Sequence, residues 1–96
     1  MPRVALTEKA ESDLEAIHEY YCGLIGFGAA NDVMADILEL FRQLELFPGC
    51  GRPSVVPDVR ELVLSHYPFI APYRLMHGQI QVLRILHQRT ERAEYW

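Results

Sequence analysis

The sequence predicts an α+β domain in which a helical hairpin packs on one face of a small antiparallel sheet, in the order β-α-α-β-β-β. Three observations carry this: two successive stretches with apolar residues at steps of three and four, a later group of β-rich segments, and a length of 96 residues, which suits one core. The first element is a short strand over Val4 to Leu6. It ends at Thr7, an N-cap residue, with Glu8 and Glu11 in the next turn, where the helix dipole favours acids. Ala10, Leu14, Ile17, Tyr21 and Leu24 then form a one-sided stripe, and Glu11, Glu15, His18 and Glu19 fall outside it, so this helix is amphipathic with an acidic outer face. Gly23, Gly26 and Gly28 predict an interhelical turn across residues 23–28. The second helix carries Ala30, Val33, Ile37, Leu40, Phe41, Leu44 and Phe47 on one face and stops at Pro48.

From Pro48 to Asp58 the chain is too rich in Pro and Gly for a helix and reads as an ordered surface loop. Arg60–Leu64 and Phe69–Leu75 are strands. Gln79–Val82 alternates cleanly before Leu83–His87 turns apolar on both faces, which predicts a central position for this last strand. His77-Gly78 suits a two-residue hairpin loop. Pro72 cannot donate to a ladder, so its strand should lie at an edge there or carry a bulge.

Half of the residues are apolar and 23% are charged, a globular composition that predicts one ordered domain over residues 1–96. No apolar run is long enough for a signal peptide or a membrane span, so the expectation is a cytoplasmic protein with no membrane partner. Cys22 and Cys50 lack metal-ligand spacing and read as free thiols. His18, His66 and His77 are scattered without paired spacing, and neither a metal nor a cofactor is expected.

The net charge of −4 hides an asymmetry, since residues 1–48 carry three basic and nine acidic side chains and residues 49–96 carry six and four. Eight of the nine basic residues are arginine, which favours directed, planar bonding to carboxylates or phosphates over a diffuse cationic surface. That suits a protein partner better than bulk nucleic acid, and direct DNA binding is not expected.

Gly51-Arg52-Pro53 before the sheet, Arg60-Glu61-Leu62 opening a strand, Pro72-Tyr73-Arg74-Leu75 in the next, and Leu83-Arg84-Ile85-Leu86-His87 followed by Arg89 form an ordered set. With the element order, this set resembles the RelE/ParE toxin superfamily over essentially the whole chain, and the ParE branch in particular. The resemblance implies a toxin neutralised by a ParD-like antitoxin whose flexible segment wraps it, in a hetero-oligomer. For the ParE branch it implies inhibition of DNA gyrase without chemistry. The rival branch cuts messenger RNA on the ribosome through basic residues and a C-terminal tyrosine or histidine, and residues 87–96 resemble that pattern too. A third possibility is a degenerate toxin kept as a binding module.

Under the ribonuclease alternative, Arg60, Arg84, Arg89 and Tyr95 would be the candidate catalytic set. Arginine does not release its proton near neutrality, lysine is missing from the second half, and acidic helices would repel ribosomal RNA, so no catalytic residue is favoured. Arg60, Arg74, Arg84 and Trp96 are instead candidate antitoxin contacts, set against the plainer reading that each arginine faces solvent or pairs with Glu61 or Glu45. His87, Arg89 and Arg92 are candidate target contacts, although His87 reads more simply as a hydrogen-bonded structural residue.

Overall fold

The structure is a computed structural model that describes residues 2–89. Arg92, Tyr95 and Trp96 lie outside the described residues. The elements run β1 (Arg3–Leu6), α1 (Glu8–Ile25), α2 (Phe27–Leu46), β2 (Arg52–Pro53), β3 (Arg60–Leu64), β4 (Phe69–Met76), β5 (Gln79–Val82) and β6 (Leu86–His87).

Thr7 caps α1 as its side chain predicts, accepting the Ala10 N–H at 3.1 Å and donating to the Leu83 carbonyl at 2.8 Å. The interhelical turn is shorter than the glycines suggested. Gly26 alone makes it, at φ +90°, and Gly23 and Gly28 lie inside the helices. Each helical glycine costs roughly 0.5–1 kcal/mol relative to alanine, a penalty that tertiary packing of the two amphipathic faces can override. Because α1 is 18 residues long, about 27 Å, its stripe outlasts the core: Ile17 is buried, Tyr21 half-buried and Leu24 exposed. Phe47, the C-cap of α2, is likewise exposed, whereas Ala30, Val33, Ile37, Phe41 and Leu44 are buried as expected.

The sheet order is β1-β5-β4-β3-β2, with β6 paired to β4. The β3-β4-β5 meander is antiparallel as predicted, and the sheet as a whole is mixed because β1 joins β5 in parallel, from Arg3 opposite Gln79 to Leu6 opposite Val82. This gives β5 the central position its sequence implied. The expected strand through His87 is interrupted, however. Tyr73 pairs with Val82 and Ile70 with Leu86, so three residues, 83–85, oppose two on β4, 71 and 72. That is a bulge, and Pro72 sits opposite it. The Leu83 N–H bonds to the Pro72 carbonyl at 2.8 Å, which turns residue 72 toward this strand, so the donor that proline lacks is missing where the ladder is already broken. The Ile85 N–H, freed by the bulge, goes to Asp13 Oδ2 at 3.0 Å.

The core lies between the hairpin and one sheet face, where Ile37, Phe41 and Leu44 meet Leu62, Leu64, Ile80 and Val82. Tyr67, in the β3–β4 turn, fastens that turn to α2 by donating its phenol to Asp36 at 2.6 Å. His77 and Gly78 take φ +52° and +75°, the left-handed pair that a two-residue hairpin requires.

Candidate binding cleft

The motif residues Gly51-Arg52-Pro53, Arg60-Glu61 and Tyr73 converge in space, and their joint product is a clasp for residues 47–59. Arg60 pairs with Tyr73 across β3 and β4, and β2 lays Arg52 and Pro53 against Glu61 and Arg60. Tyr73, only 3% exposed, donates its hydroxyl to the Pro48 carbonyl at 2.8 Å and accepts the Gly51 N–H at 2.9 Å. Its phenol is pushed up from the usual value, mainly by burial and also by Cys50, while the Gly51 N–H and the Arg60 charge oppose the rise. Arg60 donates to the Gly51 carbonyl at 2.7 Å, so Gly51 is held through both backbone groups. A Cβ there would stand 2.6 Å from the Tyr73 ring and hydroxyl and 3.0 Å from the Glu61 carbonyl, which explains the glycine. Arg52 completes the clasp with a 3.1 Å ion pair to the buried Glu61.

Held in this way, the loop stands off from the end of β4 and leaves a cleft of about 810 Å³, walled by Pro53, Val56 and Asp58 on one side and Arg60, Arg74 and Leu75 on the other. Arg74 donates its Nε to Gln81 at 3.1 Å. A second hollow of about 470 Å³ lies between α1 and the start of β4, where Tyr20, Leu24, Phe69 and His87 give it a mainly apolar lining.

The structure therefore brings Arg60 and Arg74 to one cleft and takes Arg84 elsewhere. The bulge turns Arg84 to α1, where Asp13 grips it through both carboxylate oxygens at 2.7 and 3.0 Å, and this bond raises the guanidinium's already high pKa. Of the acids offered by the plainer reading, Glu61 pairs with Arg52 and Glu45 accepts the Val4 N–H at 2.8 Å, and the acid that Arg84 meets is Asp13. His87 accepts the Arg89 N–H on Nδ1 at 3.1 Å and stacks edge-on against Phe69. His18 meets Asn31 across the hairpin at 2.8 Å, and no group of three or more metal-ligating side chains occurs among the described residues. No helix among them is long and apolar enough to cross a membrane. The role of Tyr73 was not apparent from sequence, although its place opposite Arg60, within reach of a Gly-containing loop, was the available signal.

The two-helix hairpin packed on a mixed sheet is an α+β fold of the RelE/ParE kind. A family model for the ParE toxin of the type II toxin-antitoxin system parDE matches residues 4–92, and the chain belongs to that family. A solved chain from the chromosomal ParDE toxin-antitoxin system of P. aeruginosa is 43% identical and superposes with a TM-score of 0.83, covering 91% of this chain and 96% of that one. A Sinorhizobium fredii protein described as a toxin candidate, Y4kP, is 37% identical over 63 residues, which span 66% of this chain and 65% of that relative.

Proposed function

We propose that the protein is the toxin of a type II toxin-antitoxin pair that acts in the cytoplasm, inhibits DNA gyrase by binding without cutting any bond, and is neutralised in a hetero-oligomer by a ParD-like antitoxin. Family membership supports the toxin reading. The observation that carries the non-catalytic part is the dispersal of the arginines. RNA cleavage needs a proton acceptor and cations converging on one phosphate. Here Arg84 is turned to Asp13 on α1 and Arg60 lies beside Gly51, two strands away, so the two guanidinium groups do not converge, and His87 uses Nδ1 as an acceptor.

The antitoxin is assigned to the cleft of Arg60 and Arg74, with Trp96, outside the described residues, as a further contact. Arg84, held by Asp13 on α1, lies away from that cleft and is not assigned to it. The target is assigned to the end of the sheet bearing His87 and Arg89, with Arg92 beyond, beside the apolar hollow of Tyr20 and Leu24. The test uses protein freed of antitoxin: supercoiling by gyrase should be inhibited while messenger RNA on ribosomes stays intact. Ribosome-dependent cleavage that disappears in Arg89→Ala or Tyr95→Phe, with gyrase untouched, would overturn this reading in favour of the ribonuclease.

A further inference from the structure

The cleft has a backbone feature that its arginines do not reveal. β3 begins at Arg60, opposite Tyr73, so Arg74, Leu75 and Met76 of β4 run past it with β5 on one side and no strand on the other among the described residues. The phase of the ladder is fixed by the Leu83 N–H to Pro72 carbonyl bond, which directs residues 72, 74 and 76 toward β5 and residues 73 and 75 toward the β3 side. Tyr73 meets Arg60 there. Leu75, one step further, turns its N–H and C=O into the cleft with no strand beside it.

The facing loop does not fill the role. It closes on itself: Ser54 N–H bonds to Val59 O, Val59 N–H to Val56 O, and the Ser54 hydroxyl both donates to Val56 O and accepts from Val56 N–H. Asp58 takes φ +65° to complete that turn. The loop thus has its own polar groups engaged and stands as a separate wall.

We infer that this opening is a strand-addition slot in which an extended antitoxin segment, alternating acidic and apolar residues, continues the sheet beside Leu75. The inference rests on the antitoxin reading above for its partner. The alternation follows from the pleat. A segment paired beside β4 would set successive side chains on opposite faces, one next to Leu75, which is 60% exposed, and the next beside Arg74. Leu75 and Val56 offer apolar contact. Arg74 spends one nitrogen on Gln81 and keeps others for a carboxylate on its own face, while Arg60, on the Leu75 face because it pairs with Tyr73, keeps spare donors where the slot meets the start of β3. The acidic Asp58 at the rim disfavours an acid at the loop end, so the carboxylates belong on the β4 side.

The probe is an acetylated octapeptide of alternating valine and glutamate, with two counterparts, one N-methylated at alternate residues and one with lysine for glutamate. Titration into the full-length protein, with amide exchange followed by NMR, should slow exchange at Leu75 about tenfold or more. The N-methylated and lysine peptides should bind about tenfold or more weaker, as should the glutamate peptide to Arg74→Glu at low salt. Leu75→Pro removes the donor itself; Arg74→Glu, on the exposed side of the strand, keeps the test decisive if that proline variant fails to fold. Equal binding of the N-methylated peptide, or binding that leaves Leu75 exchange unchanged, would overturn the slot. So would a dimer that the peptide dissociates, or tighter peptide binding by a Tyr95→Ala, Trp96→Ala variant, since either gives the edge to this chain itself. A cognate antitoxin that binds tightly without protecting Leu75 overturns the slot and leaves the toxin reading standing. Peptide protection of Leu75 with no antitoxin binding at all does the reverse.

Discussion

Replacing Tyr73 with Phe removes one oxygen atom and nothing else, yet that oxygen joins the sheet to the loop at two points. The Gly51 N–H loses its acceptor in a buried position, which costs about 1–3 kcal/mol, and the part-buried Pro48 carbonyl, where water can replace the phenol, adds about 0.5–1 kcal/mol. The expected loss is about 1.5–4 kcal/mol, or roughly 6–30 °C in Tm for a chain of this size. Thermal and urea unfolding by circular dichroism would measure it, and exchange of the Gly51 amide should accelerate more than that of core strand amides. Tyr20→Phe is the control, because Tyr20 is 62% exposed and should change stability by no more than about 0.5 kcal/mol. Gly51→Ala attacks the same contact from the other side. Its Cβ must displace the Tyr73 ring, costing about 1–3 kcal/mol, and the two substitutions should be clearly non-additive. A Tyr73→Phe variant melting within about 2 °C of the parent would refute the clasp.

The helix faces can be tested by contrast: Ile37→Ala, fully buried, should cost about 2–5 kcal/mol and the half-buried Leu14→Ala less, whereas Leu24→Ala on the overhanging tip should stay within about 0.5 kcal/mol in urea unfolding. Asp13→Ala removes the acceptor of both Arg84 and the Ile85 N–H and should lower stability by about 1.5–3 kcal/mol, with local exchange at Ile85 rising first. Tyr67 donates to Asp36, so its ionisation would set two anions together, and its pKa is pushed up to about 12 from 10.0. A pKa raised on folding means that this contribution is complete below pH 10 and is lost as pH climbs from 10 toward 12. The Tm difference between the parent and Tyr67→Phe should therefore shrink across that window, and ultraviolet titration should show the parent's latest-ionising phenol missing from the variant.

Element order was legible because periodicity is a local signal: Thr7 and Glu8 start one helix, Pro48 ends the other, and His77-Gly78 folds the hairpin where glycine permits a positive φ. What the pattern misplaced are decisions made by distant partners. Gly23 and Gly28 look like turn residues in isolation, but burial of Ile17 and Val33 across the hairpin continues both helices through them. The parallel pairing of β1 with β5 joins residues more than seventy positions apart, and no local pattern encodes it. Pro72 reads as a fault in a ladder, and the structure puts that fault in the central β4 with the bulge itself in the facing strand, at residues 83–85.

The arginines were harder to assign, for a reason that bears on function. Their number and position were visible in sequence, but a guanidinium has five donors and can satisfy a local carbonyl and an incoming carboxylate alike. Which of these it does depends on the backbone around it. The bulge opposite Pro72 swings Arg84 to Asp13 and away from the cleft, whereas Arg60 and Arg74, on an uninterrupted stretch of sheet, stay at it. The residues that make the chain recognisable follow the same logic. Gly51, Arg52, Arg60, Glu61 and Tyr73 bond chiefly to one another and hold a loop clear of the β4 edge, so their shared pattern marks the construction of a cleft rather than the identity of what enters it. On the antitoxin reading proposed above, specificity for a partner falls to side chains outside the clasp, above all Val56, Leu75 and the unshared donors of Arg74. Substitution of those three should alter partner choice while leaving the melting temperature nearly unchanged, the opposite of what substitution in the clasp should do.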